Sequence, residues 1–117
     1  MTARDILTLA RSFVGDESID TATQRRRDDW FVPHLNAALQ LLWDRVPVSR
    51  LAASGLTHRT YAEFDGVDWD AALWPDNQWE SRLAHYLAFV VFTNDAGDTR
   101  DSLRAKAHQT ACSPLAD

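Results

Sequence analysis

Residues 77–96 read NQWESRLAHYLAFVVFTNDA. Trp79, Leu83, Tyr86, Leu87, Val90 and Val91 recur at steps of three and four, which places them on one stripe of an α-helix. Phe89 and Phe92 lie beside that stripe and widen it. The start is punctuated by Pro75, which has no N–H to donate, and by Asn77, a capping residue with Glu80 three positions on. Gly97 suits the position just past the end. At about 1.5 Å per residue the helix is roughly 30 Å long, enough to cross a small domain. A helix this apolar must be covered on more than one side. The other segments, or neighbouring subunits, have to supply that cover.

Working outward, a second strong helix is expected over Asp29–Val46, with Phe31, Leu35, Ala38, Leu39, Leu42, Trp43 and Val46 at helical spacing. Asp29 is its expected N-cap, which puts Pro33 in the tolerant first turn, and Pro47 stops the run. Thr2–Phe13 reads as a shorter helix, capped by Thr2 with Asp5 three residues on, its stripe being Ile6, Leu9, Ala10 and Phe13. A weaker helix over Thr99–Ala111 offers only Leu103, Ala107 and Ala111 to a core. Leu83, Leu87 and Val90 are expected to meet Leu35, Leu39, Leu42, Leu9 and Phe13. The fold class is therefore mainly α: one domain over residues 1–117, a small bundle of three to four helices.

Between the second and third long helices, residues 48–74 are expected to form a short β-hairpin or an irregular connector. Thr60, Tyr61 and Phe64 favour strands, and Asp65-Gly66 before Val67-Asp68-Trp69 is a type I′ turn signal. That turn would set Phe64 opposite Val67 and Ala62 opposite Trp69. Such a hairpin needs a helix or another subunit to lie on.

The chemistry is sparse. Asp65, Asp68, Asp70 and Asp76 cluster in sequence but lack the closing Glu and the glycine position of a calcium loop, so no metal is assigned. His34, His58, His85 and His108 are scattered, with no second ligand at helical spacing from His34. There is no GxSxG, P-loop or GxGxxG pattern, and Cys112 stands alone near a helix end without a motif. No catalytic residue and no cofactor are assigned, and the chain reads as a non-enzyme. The tryptophans Trp30, Trp43, Trp69, Trp74 and Trp79 are the unusual feature, and those outside helix interiors are either core plugs or interface anchors. Trp69 and Trp74 are the candidates for one interface patch. The triplet Arg25, Arg26 and Arg27 is either a solvated loop balancing Asp28 and Asp29, or a contact to DNA phosphate or an acidic partner.

The 117 residues carry 12 basic and 17 acidic side chains, a net charge of −5 that argues against binding nucleic acid by overall charge. No apolar run approaches the roughly 18 residues of a membrane span, and the N-terminus lacks the apolar core of a signal peptide. A cytoplasmic protein is the expectation.

Two blocks of this sequence resemble the small head–tail adaptor, or connector, proteins of tailed bacteriophages. The first is DDWFVPHLNAALQLLWDRVP, similar to the family's Leu-Asn-x-Ala … Arg-x-Pro helix at Leu35, Asn36, Ala38, Arg45 and Pro47. The second is WESRLAHYLAFVVFTNDAGDTRDSLRAKAH, with Trp79, Glu80, Leu83, Tyr86, Asp95, Ala96, Arg104, Ala105 and His108 at the family's positions. The stretch between the blocks is shorter here than in many relatives, and so is the C-terminal end. The resemblance implies a structural protein of the virion, made in the host cytoplasm. Copies would form a ring, usually twelvefold, that joins the portal to tail proteins and extends the channel, through which DNA passes without specific binding. The alternative from a different class is a small helical protein–protein binding module or regulator.

Overall fold

The structure, a computed structural model, describes residues 1–15, 27–45, 63–75, 77–94 and 99–113. Among these it holds four α-helices and no strand. They are α1 (Ala3–Val14), α2 (Asp28–Arg45), α3 (Glu80–Asn94) and α4 (Thr99–Ala111), and a 3-10 turn at Asn77–Trp79 leads into α3. Every extensive helix–helix contact includes α3, which packs against α1, α2 and α4. The expected helical bundle is present, and α3 is its centre. None of the described helices is long and apolar enough to cross a membrane.

α1 starts as its sequence dictates. Thr2 Oγ1 accepts from the Asp5 N–H, and Asp5 Oδ2 accepts from the Thr2 N–H, a reciprocal capping box. The helix ends at Gly15, whose φ of 71° is the left-handed conformation that glycine adopts without steric cost. Its buried face is broader than the expected stripe. Ile6 and Ala10 are buried as expected, but so are Ala3, Leu7, Arg11 and Val14, while Leu9 and Phe13 are only partly covered. Arg11 is the one charged residue among the buried ones described. Its guanidinium donates to Asp28 Oδ1 at 2.6 Å and lies over the Phe31 ring, so it joins α1 to the first turn of α2.

α2 begins one residue earlier than expected, and this moves Pro33 into its second turn. The Asp29 carbonyl thereby loses its usual i+4 donor, at an exposed position where water can replace it. Phe31, Leu35, Ala38, Leu39 and Leu42 are buried as their spacing requires, and Trp43 is half-buried. Val46 lies outside the described residues.

α3 buries Leu83, Ala84, Leu87, Ala88, Val91 and Phe92, and Trp79 is buried in the turn before it. The buried face is turned from the expected stripe, since Tyr86 and Val90 are only half-covered and the small Ala84 and Ala88 lie inside. Small residues let helix backbones approach closely, so apolar size alone is a poor guide to which face of a helix is covered three ways. Asn77 does not cap α3 as expected. Its Oδ1 accepts from the Met1 α-amino group at 2.6 Å, and Asn77 itself belongs to the 3-10 turn. Residues 95–98, where the expected end falls, lie outside the described residues.

α4 has the expected bounds but presents another face. Leu103 is 64% exposed, and Ala107 and Ala111 are exposed as well. Ala105 and Cys112 are buried instead, with His108 half-buried between them at helical spacing. The Cys112 thiol donates to the Gln109 carbonyl at 3.3 Å, and the residue, which stands alone near the helix end in the sequence, is fully enclosed.

The expected hairpin is not seen. Residues 63–75 contain no strand, and the one isolated bridge there pairs Ala72 with Thr2 rather than with the connector itself. Residues 57–62, including Ala62, lie outside the described residues. The reason is competition for backbone groups. Asp65 Oδ1 accepts from the N–H groups of Val67 and Asp68, closing an Asx turn at Gly66 where a two-residue hairpin turn was expected.

The central seam gives a stability prediction. Leu87 is 1% exposed, and Leu87→Ala is expected to lower unfolding stability by about 2–5 kcal/mol, the range for a core truncation. Urea denaturation followed by circular dichroism reads the shift, and an unchanged midpoint would mean that this face of α3 is not the core.

Candidate functional site

Residues 63–75 form a strap fastened by polar side chains. The Asn36 carboxamide of α2 makes two hydrogen bonds with one residue of it: Oδ1 accepts from the Phe64 N–H at 2.8 Å, and Nδ2 donates to the Phe64 carbonyl at 3.0 Å. This is the pairing that a neighbouring strand would have provided. Phe64, buried, is thereby set into the core cluster. Gly66 follows at φ 79°, where a Cβ would come within 3.3 Å of Val32 Cγ1. The strap then runs along the chain's beginning. The Arg4 N–H donates to the Trp69 carbonyl at 3.0 Å, the Leu73 N–H donates to the Met1 carbonyl at 2.9 Å, and Arg4 pairs with Asp70 at 2.7 Å.

This arrangement places the sequence-derived candidates. Trp69 meets Phe64 edge to face at 4.8 Å, and Trp74 meets Trp43 edge to face at 5.4 Å. Both tryptophans are partly buried against the core. Each ring is thus partly covered by the core and partly accessible. Arg27 is exposed at the start of α2, where its carbonyl accepts from the Trp30 N–H. Arg25 and Arg26 lie outside the described residues.

The outer surface of the strap is acidic. Glu63, Asp65, Asp68 and Asp70 are exposed, and Val67 between them is 81% exposed. The Val67 and Asp68 N–H groups hold the Asp65 carboxyl below the usual carboxylate range, which keeps it ionised. These oxygens face backbone donors and, at Asp70, a guanidinium. No group of three metal-binding side chains comes together among the described residues.

A second constellation was not expected. His85 of α3 and His108 of α4 meet Nδ1 to Nδ1 at 2.8 Å. Phe13 of α1 stacks on His85 with centroids 4.1 Å apart and planes within 9°. Phe92 lies parallel to His108 at 5.6 Å, and Phe13 also reaches His108 at 5.5 Å. Burial pushes both imidazoles below their ordinary value, and His108 is lowered further by the charge of His85. One signal could have found the pair. His85 stands nine residues before Asn94 and His108 nine after Thr99, the places that an antiparallel helical hairpin sets side by side. His34, by contrast, lies against Trp30 at 4.3 Å, its imidazole also lowered by burial.

Compared with models of known protein families, with curated proteins and with solved structures, the chain matches none.

The strap depends on one carboxamide. Asn36→Ala is expected to cost about 1–3 kcal/mol, because it leaves the backbone groups of Phe64 partly buried and unpaired. Hydrogen exchange should show the Phe64 amide losing protection while the α3 amides keep theirs. Protection retained at Phe64 would show that the strap is held elsewhere.

Proposed function

We propose that this chain is a subunit of a head–tail adaptor ring, the structural connector between the portal of a tailed phage and its tail. The observation that carries the reading is where the residues of the two adaptor-like blocks stand. Leu35, Ala38, Trp79, Leu83 and Ala105 are buried in the common core, Asn36 fastens the strap, and His108 meets His85. The blocks that resemble the family therefore supply the joints of this bundle rather than its decoration.

The surface supports a protein-facing role. Ring neighbours make heterologous contacts, so one subunit needs two different patches that match. The outer faces of Trp69 and Trp74 offer contact area at low entropic cost for one of them, the Arg25–Arg27 triplet being a candidate for the other. The exposed carboxylates around Val67, and the net charge of −5, suit a wall along which DNA slides and oppose tight binding of its phosphates. On this reading the portal and tail proteins are the partners, no cofactor or catalytic step is involved, and the protein ends at the head–tail junction of the virion.

Co-sedimentation with purified portal assemblies, run beside a duplex-binding assay at low salt, tests the reading. The expected outcome is a stable complex with the portal and little affinity for free duplex. Binding to neither would favour a helical module that regulates some other protein, and tight salt-sensitive binding to DNA alone would overturn both.

A further inference from the structure

Two imidazoles meet at the joint between α3 and α4, and the hydrogen bond between them holds only one hydrogen. His85 Nδ1 and His108 Nδ1 are 2.8 Å apart. One must donate and the other accept, which fixes complementary tautomers on two neutral rings. The pair can also take one proton at the far nitrogen of the donor ring and remain hydrogen-bonded. A second proton makes both Nδ1 atoms donors, facing each other with like charges. The hydrogen bond is then lost, and repulsion acts within a shell of aromatic rings that hydrates neither charge well.

We propose that the His85–His108 pair is an acid-operated clasp, which holds α4 on α3 at neutral pH and releases α4 when both imidazoles are protonated. α4 is suited to release. Apart from His108 and whatever its first turn contributes, it places only Ala105 and Cys112 fully inside, and its largest aliphatic side chain, Leu103, points to solvent. The other helices are anchored by Leu, Ile, Val and Phe side chains that do not titrate.

Among the described residues, the charged groups on the packed elements have partners or positions of their own. On α1, Arg11 pairs with Asp28, Arg4 pairs with Asp70, and Asp5 caps Thr2. On α3, Arg82 covers the Trp79 ring, and Glu80 lies a turn and a half before His85. On α4, Arg104 lies over the Phe92 ring, Lys106 is exposed and the Cys112 thiol faces its own helix. What acts on the rings is burial and, for His108, its partner's charge.

The direction follows from linkage. Both imidazoles are lowered from 6.5, so the released form takes up protons first. The clasp is fully closed above about pH 6.5, and its contribution fades as the pH falls below that value. A metal ion in the same place would require both lone pairs to aim at one point about 2.0–2.1 Å from each nitrogen. Here the nitrogens address each other, the geometry of a shared proton.

Cys112 is the chain's one thiol and is 0% exposed at the end of α4, so it reports release directly. The full-length protein is labelled with a disulfide reagent active in mild acid, at about pH 7.5 and about pH 5.5, each rate being divided by that of the denatured chain. Protection is expected to be lost at the lower pH, in the direction set by the lowering of both imidazoles. Circular dichroism should show the rest of the bundle still helical. In His85→Gln/His108→Gln the ratio of the two protections should stay near one, with His34→Gln as a control that keeps the wild-type response. Should the double variant not fold, imidazole titration of the wild type by NMR decides the matter. Two coupled steps below the ordinary histidine value support the clasp, and two independent steps at that value overturn it. Unchanged protection in the wild type, or an equal fall in the folded double variant, also overturns it. Protection at pH 7.5 that appears with added zinc and vanishes with chelator would assign the pair to a metal instead.

Discussion

Leu83, Leu87 and Val91, with Phe92 and Trp79 beside them, lose all but a trace of their contact with water. Burial of this one helix is the constraint on which the other elements depend. No second helix in the described structure has extensive partners of its own choosing, since α1, α2 and α4 each meet α3. Removing apolar area from water contributes about 25 cal/mol per Å², and a helix covered on several sides collects that contribution repeatedly. The residues that tune the cover are the small ones. Ala84 and Ala88 set how closely a neighbour can approach, while the larger Tyr86 and Val90 are left at the rim. One polar cost accompanies the arrangement. The Trp79 indole N–H is buried with no acceptor among the described residues, and its ring face is covered by Arg82 at 4.9 Å.

Outside the seam, polar side chains decide the path of the chain. Asn36 takes both backbone groups of Phe64, Asp65 takes two N–H groups beyond it, and the backbone of residues 69–73 pairs with residues 1–4. The bonds at Phe64 and Val67 satisfy groups that the hairpin would have used. A strand pair wins such a contest only when several registers reinforce it, and residues 63–75 are too short and too rich in aspartate to supply them. The same strap brings Trp69 and Trp74 to the surface with one side of each ring held.

The legible parts of the fold were those fixed by local physics. Thr2 with Asp5, the α2 stripe from Phe31 to Leu42 and the bounds of α4 all follow from spacing and capping chemistry. What could not be read depends on partners distant in sequence. The Asp65-Gly66 pair carries the same residues in an Asx turn as in a hairpin, and only Asn36, 28 residues away, favours the first. The buried face of α4 carries His108 against His85 of α3, and Leu103, the obvious anchor, points away. Arg11 gives no sign in the sequence that it is 7% exposed, because its partners Asp28 and Phe31 belong to another helix. Of the candidate interface, Trp69 and Trp74 were recognisable by residue type, whereas their partial burial depends on the strap.

The hub arrangement also orders the way the chain can close upon itself. Four residues separate α3 from α4, whereas 65 separate α1 from α3. With closure entropy growing as the logarithm of loop length, bringing α1 onto α3 costs on the order of 2 kcal/mol more than bringing α4 there. The cheap contact places Ala105, Cys112 and a histidine pair at its joint, and the expensive contact carries Ile6, Leu7, Ala10 and Val14. Because Phe13 of α1 lies against both imidazoles, the joint closed by the short loop is completed only by the contact that the long loop closes.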